Sequence, residues 1–521
     1  VPVVKKYLPA NKMPEPVVAW LDGALQGGLV REGSVRFLGP LQAFPFDAGE
    51  GEFRAVARVE DGRLAYIGDW PWAEDLDGTV EFVNAGFSAR GSGRTLGNRT
   101  SDVQASIPNL RQAVLGLELD TIGPLAQVLE YLQTAPLIAR HLGPDFGRLA
   151  APNGTGEVSV DLSLPLLDRA AYELSASLGI IDGELIFRGF VPHATEIQGT
   201  LALNGGKLSG ENIQAIFLDG PVTARVDSPN VPGYRARIAL EGEVTIDAVA
   251  DAFNLPFADY LAGQTRWEGS LLIPAAEIED REPPRITVDS NLSGVALRLP
   301  APFAKAPGEP TNLEVELTFP AGGGLEMQGY LGASRRFALE FDPESSGAEG
   351  KFQFKRAALR FGGALPELRL ERGVTVDGTV AELNVDDWLA LPRGNAVSAG
   401  GAGGGQWTGA FAGAELEVTE FGAFGQKLGA TKVSARRRTD DWQIELDSNA
   451  IAGTLLVPAD LSNEPQIVAV MRRLYLATGG EGSMGKVDPR NLPGLQLHAD
   501  EFAIGQRQLG RLDAEILSDP L

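Results

Sequence analysis

The chain of 521 residues contains no cysteine and only three histidines. Without cysteine, the chain can form neither disulfide bonds nor thiolate metal sites. The histidines, His141, His193 and His498, lie far apart and show neither metal-ligand nor catalytic-triad spacing. We therefore expect no catalytic residue, no metal site and no cofactor in this chain.

The sequence also lacks an apolar run of about 18 residues, the length that would predict a membrane-spanning helix. No secretory signal opens it. It begins at Val1 without methionine and ends at Leu521, just after a strand-like segment. This pattern predicts a fragment whose targeting and anchoring segments lie elsewhere in a longer protein.

Basic residues are few relative to acidic ones. The 45 Lys and Arg residues against 69 Asp and Glu residues give a formal net charge of −24. Such a chain repels nucleic acid on average, so we expect no nucleic-acid partner. The one dense basic run, residues 436–438, stands before Asp440 and Asp441 and predicts a solvated strand end or turn.

Short segments of alternating apolar and polar residues follow one another through most of the chain. In one of them Val158, Val160 and Leu162 alternate with Ser159 and Asp161. A period of two gives each strand an apolar face and a polar face, which is typical of antiparallel sheets. At about 12 residues for a strand and its turn, the chain would hold on the order of 35 to 40 strands.

Helical periodicity is rare in the sequence. It predicts helices over residues 14–24, 125–132 and 247–253, and one helical turn at residues 386–389.

Glycine marks the expected turns and one loop. The Asp-Gly pairs that begin at Asp77, Asp182 and Asp377 predict hairpin turns. Residues 399–405 are almost all glycine and predict a flexible loop, because the Gly-Lys-Ser/Thr ending of a phosphate-binding loop is absent.

These signals divide the sequence into four segments. We predict a first β segment with two helices over residues 1–150 and a continuous β segment with one helix over residues 151–395. A Gly-rich loop follows over residues 396–406, and a further β segment covers residues 407–521.

Two architectures could hold so many strands, because an open twisted sheet rarely exceeds about ten strands without curling or splitting. One is a series of stacked sandwiches with closed cores. The other is a single long sheet curled across its width into a groove, apolar inside and polar outside. Composition and periodicity leave both open.

A family resemblance favours the groove. Short turns and hydrophobic anchors recur in a fixed order at residues 6–9, 18–28, 39–46, 49–53, 70–72, 76–82 and 105–110, and later at 135–137, 442–453 and 488–493. Their number and order resemble the YhdP family of AsmA-like, bridge-like envelope lipid transporters.

The resemblance implies a mainly β fold, in which a long antiparallel sheet curls into an open apolar groove with a few short α-helices. It implies a bacterial envelope protein with an inner-membrane helix, followed by a groove that carries phospholipid through the periplasm toward the outer membrane. This chain would be a periplasmic middle piece. Its implied partners are phospholipid and, through parts missing here, the two membranes.

Under this hypothesis the alternating apolar side chains bind the acyl tails of the lipid, while the headgroups lie along the open side of the groove. A charge at mid-groove, such as Leu240→Asp or Leu317→Arg, would then block transport while the fold survives. The expected lining residues are Phe53, Val158, Val160, Leu162, Leu164, Tyr172, Leu174, Leu178, Ile180, Tyr234, Ile238, Leu240, Leu313, Val315, Leu317, Phe319, Phe352 and Phe354.

Two other functions stay open from the residues alone. Trp70 and Trp72 beside Asp75 and Asp77 could bind or cleave carbohydrate, although a hairpin connection whose tryptophans cover the end of a core is the simpler interpretation. A purely structural envelope scaffold would have a closed interior and no bound lipid.

Overall fold

A computed structural model describes most of the chain. The described residues are 15–46, 48–65, 70–112, 114–135, 149–166, 171–187, 190–253, 255, 258–275, 284–320, 324–343, 352–391, 411–439, 441–459, 466–477 and 494–516. Within them the protein is mainly β, and 27 strands form one mixed sheet that is not closed into a barrel. The predicted fold class is confirmed.

The strands are β1 (Leu25–Leu38), β2 (Glu52–Leu64), β3 (Ala73–Val83), β4 (Gly86–Thr95), β5 (Asn98–Ile107), β6 (Val114–Pro124), β7 (Leu149–Ala150), β8 (Thr155–Pro165), β9 (Glu173–Phe187), β10 (Phe190–Asn204), β11 (Lys207–Phe217), β12 (Gly220–Asp227), β13 (Tyr234–Thr245), β14 (Leu261–Ala262), β15 (Gln264–Pro274), β16 (Arg285–Ser290), β17 (Ala296–Leu297), β18 (Leu313–Thr318), β19 (Leu325–Leu331), β20 (Arg335–Pro343), β21 (Phe352–Phe361), β22 (Gly373–Asn384), β23 (Phe411–Ala423), β24 (Gln426–Arg437), β25 (Asp441–Ser448), β26 (Ile451–Pro458), β27 (Gln466–Leu476), β28 (Gly494–Ile504) and β29 (Arg507–Ile516).

Helices occupy the positions that periodicity predicted. They are α1 (Glu15–Ala24), α2 (Leu125–Thr134), α3 (Ile246–Phe253) and α4 (Val385–Leu389), and short 3-10 turns cover Leu41–Ala43 and Ala258–Tyr260. Asn384 caps α4 with its side-chain oxygen, which accepts a hydrogen bond from the Asp386 backbone N–H.

The described residues divide into two compact units. Unit 1 contains residues 1–217, 221–241 and 270–284, and unit 2 contains residues 218–220, 242–269 and 285–521. The four-segment division proposed from the sequence stays a prediction, and its Gly-rich loop lies outside the described residues.

Among the described strands with a known register, pairing is mainly antiparallel, and three pairs in unit 2 are parallel. These are the pairs β21–β22, β22–β23 and β27–β28. A parallel pair requires a connection that returns to the starting edge of the sheet, and residues 362–372 provide it between β21 and β22.

The predicted Asp-Gly hairpin turns are wrong, because all three pairs lie inside strands. Asp182 in β9 adopts a left-handed conformation with φ of 48°. Gly78 in β3 lies opposite Gly91, where an added Cβ would stand 2.4 Å from the Arg90 carbonyl oxygen. The conformational freedom of these residues therefore serves bulges and close strand contacts, which the same dipeptide permits as readily as a turn.

Candidate functional site

One face of the sheet in unit 2 carries an unbroken apolar row across thirteen strands. The row residues are Val288, Val315, Gly329, Phe337, Leu359, Val376, Ala414, Ala435, Ile444, Leu455, Ala469, Leu497 and Ala514. With neighbouring strands about 4.8 Å apart, the row extends for roughly 58 Å. We call this side of the sheet the apolar face.

Directly beside this row, a second row of residues lies on the opposite, polar face. Each of its members is adjacent in sequence to a residue of the apolar row. These neighbours are Asp289, Glu314, Tyr330, Arg336, Arg360, Asp377, Glu415, Ser434, Glu445, Thr454, Val470, His498 and Asp513. Cross-strand ion pairs stabilise this face, among them Arg360 with Asp377 at 2.6 Å. The pKa of Arg360 is raised, first by its hydrogen bond to that carboxylate.

Unit 1 repeats the arrangement over seven strands, namely β2 to β6, β8 and β9. Its apolar row is Ala57, Val80, Ala89, Ala105, Leu117, Leu162 and Leu174, and its polar row is Arg58, Thr79, Arg90, Gln104, Glu118, Asp161 and Ser175. Every residue of the apolar row is half-buried. In a close-packed sandwich core such side chains would be almost fully buried, so the apolar face of unit 1 stays accessible over these strands.

Helix α2 covers another part of the apolar face of unit 1. Leu125 and Leu129 form a buried cluster with Ile180, Ile197 and Ile213 of β9, β10 and β11. The spacing of four residues places both leucines on one side of the helix, so α2 docks on the sheet through a single apolar stripe.

In unit 2 the apolar face is covered over some of its strands by a plug, which we define as α3 together with residues 291–307. The ring of Phe253 at the end of α3 lies 6.3 Å from the ring of Phe341 and 6.5 Å from that of Phe352. These two partners are only 1% and 3% exposed. β17, in the second part of the plug, pairs with β14, which follows α3 in the chain.

The second part of the plug is held by aromatic and polar contacts. The ring of Phe303 lies 5.6 Å from the rings of both Phe361 and Trp388. Trp388 Nε1 donates a hydrogen bond to the Ala301 carbonyl at 3.2 Å. Arg335 donates to the Pro302 carbonyl, also at 3.2 Å. Residues 301–303 are thereby fixed against the sheet and α4.

Lys305 holds the plug together from inside. The residue is 4% exposed, and Nζ donates to the carbonyl oxygens of Leu292 and Val295 at 2.8 Å each and of Ala306 at 3.2 Å. Burial lowers the pKa of this amine from its ordinary value. Because three backbone acceptors surround the ammonium group, Lys305 is a structural residue of the plug.

The predicted lining residues in β2, β8, β9, β18 and β21 lie on the apolar face. In β13, Ile238 packs against the buried cluster under α2. In unit 1 the register aligns Leu162 with Leu174 and Val158 with Leu178. In unit 2 it aligns Leu317 with Met327 and Phe354 with Phe341. Tyr172 and Phe319 lie just outside strands. Contact of all these side chains with lipid stays a prediction.

The alternative carbohydrate cluster is largely occupied by contacts within the protein. The ring of Trp70 packs edge-on against Tyr131 of α2 at 6.1 Å, whereas Trp72 is 46% exposed. Asp75 pairs with Arg94, and the carboxylate of Asp77 accepts a hydrogen bond from the Asp61 backbone N–H. The described part of the chain contains no group of side chains suited to holding a metal ion.

The histidines are dispersed over the fold. His498 Nδ1 lies 2.6 Å from Asp513 Oδ1 on the polar face, and this hydrogen bond is the main cause of its raised pKa. His193 lies 3.7 Å from Glu184, and His141 is outside the described residues.

Sequence reasoning did not find the plug contacts. Phe253 and Phe303 meet partners about 50 to 100 positions away in the sequence, and no periodic pattern encodes such contacts. The only available signal was the presence of apolar residues in short segments that do not alternate like strands.

The fold and the two rows define a class: an amphipathic β-sheet protein whose apolar face is partly accessible and partly covered by its own short helices. Residues 3–520 match the model of the YhdP protein family, and the chain belongs to this family. The resemblance inferred from the sequence is confirmed.

Comparison with curated proteins gives a relative of known name. Over 418 residues the chain is 26% identical to the intermembrane phospholipid transporter YhdP of Escherichia coli (strain K12), an alignment that covers 76% of this chain and 31% of the relative. The chain thus spans about a third of that protein's length. No solved structure matches the chain. None of the described helices is both long and apolar enough to cross a membrane.

Proposed function

We propose that the apolar face binds the acyl chains of phospholipids and forms part of a path along which phospholipid moves between the inner and outer membranes of a bacterial envelope. In the full-length protein this part lies in the periplasm and is anchored to the inner membrane. The apolar row over thirteen strands of unit 2 is the observation that carries the proposal.

The apolar row lowers the free-energy barrier that a lipid would face on moving through water. Each methylene group transferred from water to an apolar surface gains about 0.8 kcal/mol, so a lipid with some 30 methylenes faces a barrier above roughly 20 kcal/mol in bare water. An apolar surface that repeats at each strand, about every 4.8 Å, offers similar contacts at successive positions. A lipid can therefore advance in small steps without leaving apolar contact.

The assignment also agrees with the chemistry that the site offers. Moving a lipid neither forms nor breaks a covalent bond, so the function requires no nucleophile, general base or cofactor. The name of the Escherichia coli relative, an intermembrane phospholipid transporter, supports phospholipid as the ligand. Membership of the YhdP family supports a location in the cell envelope.

A matched pair of photo-crosslinkers tests lipid binding in unit 1. Leu117 belongs to the apolar row and Glu118 is its neighbour on the polar face. After irradiation in cells and purification of the chain, we expect mass spectrometry to find phospholipid attached at position 117, because that side faces the acyl chains. Position 118 is the control and is expected to capture none. A folded protein with no lipid at position 117 would contradict the proposal.

A further inference from the structure

Helix α3 covers one end of β20 on the apolar face. Phe337 and Phe341 lie four residues apart on the same side of this strand. Phe337 belongs to the apolar row and is half-buried, whereas Phe341 is only 1% exposed. Leu325, opposite Phe341 in β19, is fully buried. The ring of Phe253 contacts that of Phe341, so α3 closes a surface that stays partly accessible farther along the same strand.

Helix α3 meets the sheet through apolar side chains. Its buried residues are Ala250 and Phe253, whereas Asp247 and Asp251 are exposed. Burying a phenylalanine side chain is worth roughly as much as burying two to four methylene groups. A phospholipid acyl chain carries more methylene groups than that. It can therefore take the place of Phe253 on the sheet with a net gain of buried apolar surface.

The second part of the plug is held differently, by hydrogen bonds to its backbone. Trp388 donates to the Ala301 carbonyl and Arg335 to the Pro302 carbonyl, while Lys305 donates to three carbonyl oxygens inside the plug. An acyl chain has no donor that could replace these groups. Displacing this part would leave buried polar groups unpaired, so lipid does not compete with it as it does with α3.

We propose that Phe341 and Phe352 form an acyl-chain site that α3 closes with Phe253, and that phospholipid opens this site by displacing α3 while residues 301–305 stay in place. This inference rests on the proposed function and adds regulation to it, because α3 is then a gate on the apolar face. The occupant is an acyl chain, since the side chains beneath α3, Leu325 among them, are apolar and buried.

Hydrogen exchange followed by mass spectrometry on the full chain tests this proposal. The probe is dioctanoylphosphatidylglycerol, and the control is glycerophosphoglycerol, which has the same headgroup without acyl chains. We expect the phospholipid to speed exchange of the α3 amides about 10-fold, because a displaced helix of eight residues loses the packing that stabilises it. The Lys305 amide, bonded to the Leu297 carbonyl at 3.1 Å, should exchange at an unchanged rate. Glycerophosphoglycerol should alter neither rate.

Photo-crosslinking measures access to the surface under α3. A crosslinker replaces Phe354, whose half-buried ring lies 6.0 Å from that of Phe341. In Phe253→Ala we expect roughly 5-fold more phospholipid at this position, because the competing ring is gone and the open state is more populated. Phe424→Ala removes an exposed ring in the turn between β23 and β24 and should leave capture unchanged. A crosslinker at Leu117 in unit 1 should capture lipid equally in both variants, and circular dichroism checks that each is folded.

The outcomes separate this inference from the proposed function. Slower or unchanged exchange of the α3 amides with bound phospholipid would overturn the gate while leaving lipid binding intact. Equal acceleration of the α3 and Lys305 amides would show that the whole plug leaves, which would overturn the fixed position of residues 301–305. Acceleration by glycerophosphoglycerol would overturn the acyl chain as occupant. Absence of lipid at both crosslinking positions in every variant would refute the proposed function itself.

Discussion

Leu455→Arg in the full-length protein is expected to lower phospholipid transport about 100-fold. Leu455 is a half-buried member of the apolar row in β26, between Ile444 and Ala469 on the neighbouring strands. A charged, hydrated side chain there would remove three to four methylene groups of a passing lipid from apolar contact. At about 0.8 kcal/mol each, this adds roughly 3 kcal/mol to the barrier. The rate of lipid transfer in a strain that lacks the native protein measures the effect.

The matched control is Thr454→Arg, one residue earlier in the same strand. Thr454 is also half-buried but lies on the polar face opposite Glu445, where an arginine can form an ion pair. We expect transport in this variant to remain near the unaltered level. Equal loss in both variants would indicate damage to the fold, and full transport in Leu455→Arg would contradict the proposed path.

The choice of position matters for this experiment. Leu317, which the sequence also suggested as a test site, is only 6% exposed. An arginine there would be forced into a buried environment and would unfold the region before it tested transport. The half-buried position of Leu455 avoids this problem.

Phe253→Ala is expected to release α3 from the sheet. Phe253 is 7% exposed and contacts Phe341 and Phe352, so its truncation removes a buried ring and leaves a cavity. Such changes cost about 3 to 5 kcal/mol, and at the lower end the α3 amides would exchange hydrogen roughly 100-fold faster. Hydrogen exchange followed by mass spectrometry measures this local opening.

Phe424→Ala is the control for the hydrogen-exchange measurement on α3. Phe424 lies in the turn between β23 and β24 and is 57% exposed, so its truncation should change α3 exchange little. Unchanged protection of α3 in Phe253→Ala would show that the plug is held mainly by residues 291–307. The aromatic contacts of Phe253 would then not be the main anchor of α3.

The sequence predicted most of the architecture because alternation is a local property. In β8, the alternation of residues such as Val160 and Asp161 predicts a strand and its two faces, and this prediction does not require the neighbouring strands to be known. The helices were equally visible from their own periodicity and end signals. These features together anticipated a mainly β chain with an apolar side.

Features that depend on pairing could not be predicted in the same way. The parallel pair β21–β22 contains strands whose alternation resembles that of antiparallel ones, and only the connection at residues 362–372 distinguishes them. The side on which Arg437 lies follows from its register with Trp442, which the run of three arginines does not reveal. Asp182 and Gly183 were misinterpreted because a turn and a bulge use the same residue types.

The most direct test of the central claim is a photo-crosslinking scan along β26. Register with β25 places Leu455 and Val457 on the apolar face, opposite Ile444 and Trp442. It places Thr454 and Leu456 on the polar face, so Leu456 tests whether lipid follows the face or merely any apolar residue. We predict phospholipid adducts at positions 455 and 457 and none at 454 and 456. Equal capture at positions 455 and 456 would contradict a lipid path confined to the apolar face.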